Sequence, residues 1–186
     1  TPNGNFTNGD MGENRGHSGG MYENYYLHIF NNTRRIIADC DASNQLGLAG
    51  VMRIVQAYGT LMTTDAHGPL AYSSILSGEY ESYFPFDSQQ DIYIAMLKDL
   101  DKAITDIQNM TEAEKLTLAT FDSWCQADTE LWVKIANTMK LRMALRLSKR
   151  EAEMSAAGID LKAVAAAAAP NTLATVNKDI VIDLSL

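Results

Sequence analysis

Apolar residues recur at helical spacing along most of this chain, and this periodicity constrains the fold more than any other feature. The stripes run through about residues 22–39, 45–63, 88–107 and 129–149. In the fourth segment the apolar residues cover more than one face, which predicts burial against two neighbouring helices. A further helix is predicted after Asp160, through an alanine run that ends at Pro170. The sequence therefore predicts an all-α fold of packed helices.

Short polar residues stand in front of these stripes, where their side chains can accept hydrogen bonds from the first free amides of a helix. The candidate N-caps are Ser43 or Asn44, Ser88, Thr111, Asp128 and Asp160. Ser88 with Asp91 resembles a capping box, whereas Thr111 with Glu114 is expected to cap only a short turn. The segment 117–128 is predicted to be irregular.

Three glycines, Gly47, Gly50 and Gly59, lie inside the predicted second helix. Each lowers helix propensity by about 1 kcal/mol relative to alanine. We therefore expect these glycines to mark a close approach to other helices. Tyr58 and Met62 are assigned to the buried stripe of the same helix.

The two ends of the chain differ from its helical middle. Residues 1–20 contain six glycines among mostly polar neighbours and are predicted to form a flexible arm before a helical domain at 21–170. Residues 171–186 are expected to begin an incomplete following region, with a short β segment at 178–186, in a truncated chain. Because the chain opens on Thr1 without a signal segment, we expect a targeting signal or lipid-anchor cysteine to have been removed.

Charge and cysteine content exclude several classes of partner. The formal net charge of −8 over 186 residues argues against nucleic acid and against an anionic membrane surface, since both need clustered cations. No apolar run approaches the roughly 20 residues that span a bilayer. Cys40 and Cys125 are expected to be buried free thiols, although their pairing in the fold is left open. No motif indicates a cofactor.

The second helix leads into the polar turn Asp65-Ala-His67-Gly68-Pro69. Asp65 and His67 could supply two metal ligands, or the acid and base of a hydrolase. No third ligand and no marked nucleophile accompanies them in the sequence. A structural role at the end of the helix is therefore favoured.

An aromatic-rich loop from Tyr72 to Phe86 follows the turn. Ring faces beside hydrogen-bonding groups suit sugars, and aromatic residues are also enriched at protein interfaces. The candidate ligand-binding residues, all outside predicted helices, are Tyr80, Tyr83 and Trp124. Phe84 and Phe86 are expected to point inward and hold the loop on the helices.

Three blocks of the sequence share a pattern with a known family. The blocks are Arg53-Ile-Val-Gln-Ala-Tyr58 with the turn that ends at Tyr72, Phe86-Asp-Ser-Gln-Gln-Asp-Ile-Tyr93 with Leu100-Asp-Lys-Ala103, and Trp132-Val-Lys-Ile-Ala-Asn137 with Lys140-Leu-Arg-Met-Ala-Leu-Arg146. Over about residues 21–170 they resemble the SusD/RagB family of outer-membrane nutrient-binding lipoproteins of Bacteroidetes. In the turn, His67 stands where an aromatic is common and Ala71 takes the place of a proline.

The resemblance implies tetratricopeptide-like helical pairs and a non-enzymatic function. It implies capture of oligosaccharides or peptides by a lipid-anchored protein on the outer membrane. The implied partner is a TonB-dependent transporter of the SusC type. Two alternatives stay open: a helical-repeat adaptor that binds only protein, and a hydrolase that uses Asp65 and His67.

Overall fold

The computed structural model describes the backbone of residues 15–76 and 83–175, and the side chains of residues 19–76 and 83–174. Every regular element in these ranges is helical. The helices are α1 (Arg15–Asn24), a π-helical segment (Tyr25–Phe30), α2 (Asn31–Ala42), α3 (Leu46–His67), α4 (Ser73–Leu76), α5 (Gln89–Gln108), α6 (Glu112–Phe121), α7 (Thr129–Arg146), α8 (Glu151–Ala156) and α9 (Leu161–Ala168). The only β pairing in these ranges is an isolated bridge between Leu70 and Asp87. The all-α prediction is thus confirmed, while the predicted β segment at 178–186 lies outside the described residues.

The long helices pack against one another in pairs. The helix α3 lies between α2 and α5, and α7 lies between α5 and α9. Side chains from α3, α5 and α7 meet in one core, where Ile54, Leu100 and Met143 are fully buried. The arrangement agrees with the expected tetratricopeptide-like helical pairs and places α3 and α7 side by side.

The first long helix begins earlier than predicted and contains a π-helical turn. It starts at Arg15, within the segment 1–20 that the sequence predicts as an arm, and residues 1–14 of that arm lie outside the described residues. The π-helical segment buries Tyr25 and Phe30. Because a π-turn inserts a residue, it rotates the apolar stripe that follows. Ile36 belongs by its spacing to the apolar stripe predicted over residues 22–39, but it is 44% exposed.

Most of the predicted N-caps are confirmed. The side chains of Ser88, Thr111, Asp128 and Asp160 each accept a hydrogen bond from an amide in the first turn of their helix. Thr111 and Glu114 form a complete capping box, and α6 then continues to Phe121. The prediction of only a short turn there was wrong, and the irregular segment is confined to residues 122–128.

The prediction that Ser43 or Asn44 caps α3 was wrong. Ser43 Oγ donates a hydrogen bond back to the carbonyl of Asp39, and Asn44 has a φ of 57°, so both residues end α2. Gln45 precedes α3 without a side-chain cap. The amide of Gly47 instead donates to Oε1 of Glu114 at 2.8 Å. A carboxylate from α6 therefore caps α3 from a distant part of the sequence.

The three glycines of α3 lie at close helix contacts, as expected. A Cβ at Gly59 would lie 2.7 Å from Cγ2 of Ile29, and one at Gly50 would lie 3.0 Å from the carbonyl oxygen of Ala103. A Cβ at Gly47 would lie 2.7–2.8 Å from the side chain of Met110. The missing side chains thus allow α3 to approach its neighbours on both sides.

A buried arginine joins three helices of the core. Arg53 on α3 is 8% exposed, and its guanidinium contacts Oδ2 of Asp41 on α2 at 2.5 Å and Oδ2 of Asp106 on α5 at 3.3 Å. The planar guanidinium has donors pointing in several directions and can serve both carboxylates at once. Arg53 therefore fixes the relative positions of α2, α3 and α5.

Candidate functional site

The structure places the aromatic residues of the 72–86 loop in different environments. Tyr72 is buried in the core, and its hydroxyl bonds Oδ2 of Asp99 at 3.2 Å. Tyr83 is 73% exposed, while the predicted candidate Tyr80 lies outside the described residues. Phe84 is half-buried, but Phe86 is 59% exposed, so the expectation that Phe86 points inward was wrong.

Asp87 explains why Phe86 is not needed to hold the loop. Its carboxylate accepts hydrogen bonds from the amides of Tyr72 and Ser73 and from the Ser73 hydroxyl, at 3.0, 2.7 and 2.5 Å. Burial tends to raise the pKa of Asp87, but these hydrogen bonds outweigh it and the pKa lies below its usual range. The base of the loop is therefore fixed by a carboxylate, which leaves the Phe86 ring at the surface.

The polar turn after α3 has structural partners. Asp65 accepts a hydrogen bond from the Tyr93 hydroxyl at 2.6 Å and forms an ion pair with Arg146 at 2.6 Å. His67 packs edge-on against Tyr22, with ring centroids 5.7 Å apart. Asp65 and His67 thus contact different parts of the protein, in agreement with the structural role favoured from the sequence. Among the described residues, no group of three or more His, Cys, Asp or Glu side chains could hold a metal ion.

The third predicted residue, Trp124, lies in a groove between α3, α7 and the segment that follows α9. We call this the aromatic groove. It has a volume of about 410 Å³ and is lined by Tyr58, Leu61, Trp124, Ile135, Thr138, Met139, Arg142 and Leu173. The lining is mainly apolar, and the two helices that form it belong to the packed core. Concave, mostly apolar sites with a few polar groups are typical of small-molecule binding sites.

A single carboxylate shapes the loop that carries Trp124. Asp122 accepts hydrogen bonds from the amides of Trp124, Cys125 and Ala127 and from the indole nitrogen of Trp132, all at 2.8–3.0 Å. Backbone φ angles at the adjacent Gln126 and at Ala127 are 52° and 62°, a conformation that non-glycine residues seldom adopt. Such strain persists where surrounding contacts enforce it, and here Asp122 supplies those contacts.

The aromatic rings of the groove form a corner. Trp124 stacks on the buried Trp132 with centroids 5.8 Å apart and an interplanar angle of 13°. Tyr58 meets Trp124 nearly at a right angle, with centroids 6.1 Å apart, and is 45% exposed. Because Trp132 supports Trp124 from behind, the corner is fixed before any ligand arrives.

The polar groups at the groove are few. Thr138 Oγ1 donates to the carbonyl of Lys134 at 2.7 Å and accepts from the amide of Leu173 at 2.9 Å, so its bonding capacity is largely used. Within the described residues, no hydrogen bond joins the Trp124 indole nitrogen or the Tyr58 hydroxyl to another group. Arg142 also lines the groove and is exposed.

Cys125, next to Trp124, is buried under the same loop. Burial, assisted by the carboxylates of Asp122 and Asp128, raises the pKa of its thiol to about 12. Cys40 is half-buried, and burial also raises its thiol pKa, with Asp41 and Asp39 adding to the effect. Both cysteines are free, as expected, but only Cys125 is buried as predicted.

The structure brings together only part of the predicted site. Trp124 lines the aromatic groove. Tyr83 is not among the described residues that line the groove or that contact the Trp124 ring. Tyr58 was missed, because its helical spacing placed it on the buried stripe of α3. Spacing alone carried no signal for it: Tyr58 lies four residues after Ile54 and three before Leu61, so periodicity places it beside these buried residues. Only the structure shows that Tyr58 and Met62 are partly exposed.

Comparison with known proteins connects this structure to one family. The sequence matches the profile of the SusD-like family, described as "Susd and RagB outer membrane lipoprotein", over residues 3–182. Among curated proteins, none matches the chain. No helix in the described ranges is both long and apolar enough to cross a membrane.

Several solved structures share the fold. A SusD-like protein from Bacteroides thetaiotaomicron VPI-5482 is 24% identical with a TM-score of 0.69, and the match covers 87% of this chain and 32% of that one. A chitin-binding SusD homologue from Flavobacterium johnsoniae is 24% identical with a TM-score of 0.66, covering 81% of this chain and 30% of that one. A SusD homologue from Bacteroides vulgatus ATCC 8482 is 24% identical with a TM-score of 0.60, and the match covers 73% of this chain and 27% of that one. The chain thus spans about a third of the length of these relatives, and it belongs to the SusD/RagB family.

Proposed function

We propose that this chain helps to capture an oligosaccharide at the cell surface, without catalysis, and that the aromatic groove contacts the sugar. The observation that carries the proposal is the fixed corner of Trp124 and Tyr58 in an open, mainly apolar groove. Sugar rings present C–H faces that pack on aromatic faces, while their hydroxyls reach hydrogen-bonding groups at the edge. Stacking of this kind contributes roughly a few kcal/mol in total.

The family supports the cellular context of this proposal. In the proposed function the protein is held on the outer membrane by a lipid anchor, as the family description implies, and passes its ligand to a TonB-dependent transporter of the SusC type. A relative of the same fold from Flavobacterium johnsoniae is a chitin-binding protein, which makes a glycan the first ligand to test. A peptide is the other ligand class to test. Tyr83 in the exposed loop is a secondary candidate contact, and Tyr80 stays a prediction from the sequence.

Calorimetry with variants of the groove tests the proposal. The chain would be titrated with chitohexaose, cellohexaose, maltohexaose and a short peptide. For the ligand that binds, we expect Trp124→Ala and Tyr58→Ala each to weaken affinity by about tenfold or more, as for aromatic anchors in other binding sites. Phe121→Ala is the matched control, because it removes a 79% exposed ring on α6 that does not line the groove. Tyr83→Ala tests the loop separately.

Circular dichroism would show whether each variant keeps its helical fold. Tyr58→Ala is expected to disturb the fold less than Trp124→Ala, because the Tyr58 ring is partly exposed whereas Trp124 stacks on a core residue. Unchanged affinity in both groove variants, with loss in Tyr83→Ala, would move the site to the loop. Absence of binding to every glycan and peptide would contradict the proposal.

An adaptor that binds only protein is the alternative function. Leu116 and Phe121 on α6 are 73% and 79% exposed, and exposed apolar side chains of this size are common at protein interfaces. If the chain binds a purified SusC-type transporter but no glycan or peptide, and if Leu116→Ser with Phe121→Ser abolishes that binding, the adaptor function is correct.

A further inference from the structure

We propose that the aromatic groove selects an anionic oligosaccharide, whose carboxylate is bound by Arg142. This inference rests on the proposed function, because it concerns the ligand of the same groove. It adds the chemical class of that ligand: a chain of sugars that carries uronic acid units. Three properties of the protein support this ligand class: the pairing of Arg142, the remaining polar groups of the groove and the charge of the surrounding surface.

Arg142 differs from the other arginines near it. Arg146 is paired with Asp65, and Arg150 is paired with Glu153, at 2.6 and 2.8 Å. Arg53, in the core, is paired with two carboxylates. Arg142 makes no ion pair with any residue that the structure describes, although it stands one helical turn before Arg146. Arg142 lines the groove and is exposed, and its positive charge also acts on the Tyr93 hydroxyl. Because no described carboxylate pairs with it, the guanidinium of Arg142 can bind a ligand in the groove.

The groove offers hydrogen-bond donors and lacks an acidic side chain. None of its lining residues is Asp or Glu, and Arg142 is the one charged residue among them. The indole N–H of Trp124 and the Tyr58 hydroxyl have no hydrogen-bond partner among the described residues, whereas Thr138 Oγ1 is occupied on both sides. A surface rich in donors favours a ligand rich in acceptors, and a carboxylate is the strongest acceptor that a sugar carries.

The negative charge of the whole chain restricts where an anionic ligand can bind. The formal net charge is −8, so an acidic ligand would be repelled by most of the surface. A groove that contains Arg142 and whose described lining holds no carboxylate is then the place where such a ligand can bind. The planar guanidinium matches a carboxylate in a bidentate geometry, and an aromatic corner beside it can hold the sugar ring.

Calorimetry with matched ligands tests this inference. The chain would be titrated with hexagalacturonate, with neutral cellohexaose and chitohexaose, and with a sulfated oligosaccharide of similar length. We expect the anionic hexamer to bind at least about tenfold more tightly than the neutral ones, with affinity that falls as salt is raised. Tighter binding of the sulfated ligand than of hexagalacturonate would overturn the assignment to a carboxylate.

Variants at position 142 separate charge recognition from stability. Arg142→Gln should weaken hexagalacturonate binding by about tenfold and reduce its salt dependence, since one charge-assisted contact is lost, while Arg142→Lys keeps part of the affinity. Arg35→Gln is the control, because Arg35 is also exposed and lies on α2 outside the groove. Thermal melts would show that Arg142→Gln still folds.

The outcomes distinguish the inference from the proposed function. If neutral hexamers bind as tightly as hexagalacturonate and Arg142→Gln changes neither affinity, the inference is wrong while glycan capture stands. If Arg142→Gln lowers only the melting temperature, Arg142 serves the helix and the inference is also wrong. If no oligosaccharide binds, both fail.

Discussion

Single carboxylates organise this protein at the points where its helices meet. Glu114 caps its own helix through Thr111 and also accepts from the amide of Gly47, which lies 67 residues earlier in the chain. Asp122 bonds three amides and one indole of the loop that carries Trp124. In both cases one ionised side chain satisfies several donors that burial would otherwise leave without partners.

Glu114 makes the stability of the protein dependent on pH. Burial tends to raise its pKa, but hydrogen bonds from Thr111 and Gly47 outweigh burial and hold the pKa below its usual range. A carboxyl group whose pKa is lower in the folded state contributes stability above its unfolded pKa, and this contribution is lost as pH falls through the folded pKa. The stabilisation by Glu114 is therefore complete at neutral pH and disappears in acid.

We expect Glu114→Gln to lower the free energy of unfolding at neutral pH by about 1–3 kcal/mol, because buried donors lose a charged acceptor. The difference between the wild-type protein and the variant should shrink when urea unfolding is repeated below the usual pKa of glutamate. Glu112→Gln is the control, since Glu112 has an 85% exposed side chain and pairs with Lys115 at the surface. An equal difference at both pH values would show that the charge of Glu114 is not involved.

At the scale of helices, close approach decides which small residues are required. The helix α3 contacts α2 and the π-helical segment on one side and α5 on the other, and its glycines lie at those contacts. Three glycines in an otherwise helical stripe predicted this role. The π-helical turn was not predicted, because a local insertion in the hydrogen-bond pattern changes the apolar spacing only slightly.

Gly59→Ala should therefore destabilise the protein, although alanine is the better helix former. The new Cβ would lie 2.7 Å from Cγ2 of Ile29, a branched side chain with little freedom to move. We expect a loss of about 1–3 kcal/mol from overpacking, measured by thermal unfolding. Gly20→Ala is the matched control, because no atom lies within 4 Å of its added Cβ, and it should stabilise α1 by up to about 1 kcal/mol. A gain in stability from both changes would contradict the close contact.

For the whole molecule, Arg53 joins elements that are far apart in the sequence. It contacts carboxylates on α2 and α5 from its position on α3, so it links the first helices to the centre of the core. Arg53→Lys keeps the charge but cannot reach both carboxylates with one ammonium group. We expect the free energy of unfolding to fall by about 1–3 kcal/mol, measured by urea unfolding.

Arg35→Lys provides the comparison for that change. Arg35 is exposed on α2, and surface substitutions of this kind alter stability by about 0.5 kcal/mol or less. If the two substitutions lower the free energy of unfolding equally, the double contact made by the Arg53 guanidinium does not contribute to stability.

Much of the helical fold was accessible from the sequence because its signals are local. Ser88, Asp128 and Asp160 cap the helices that their positions predict, and the glycines of α3 mark the contacts expected of them. The errors arose where a contact came from elsewhere in the chain. Ser43 and Asn44 are plausible caps by composition, yet Glu114 supplies the acceptor to α3 instead.

The candidate site was likewise predicted only in part from the sequence. By itself the sequence determined the helical class and the family pattern, and it made Trp124 a candidate, because helical periodicity and motif spacing depend on neighbouring residues. Only the tertiary structure decided that Tyr58 joins Trp124, that Phe86 faces outward and that no carboxylate among the described residues pairs with Arg142. The physical reason is that a groove is formed by side chains from separate helices, and its shape and charge exist only after those helices have packed.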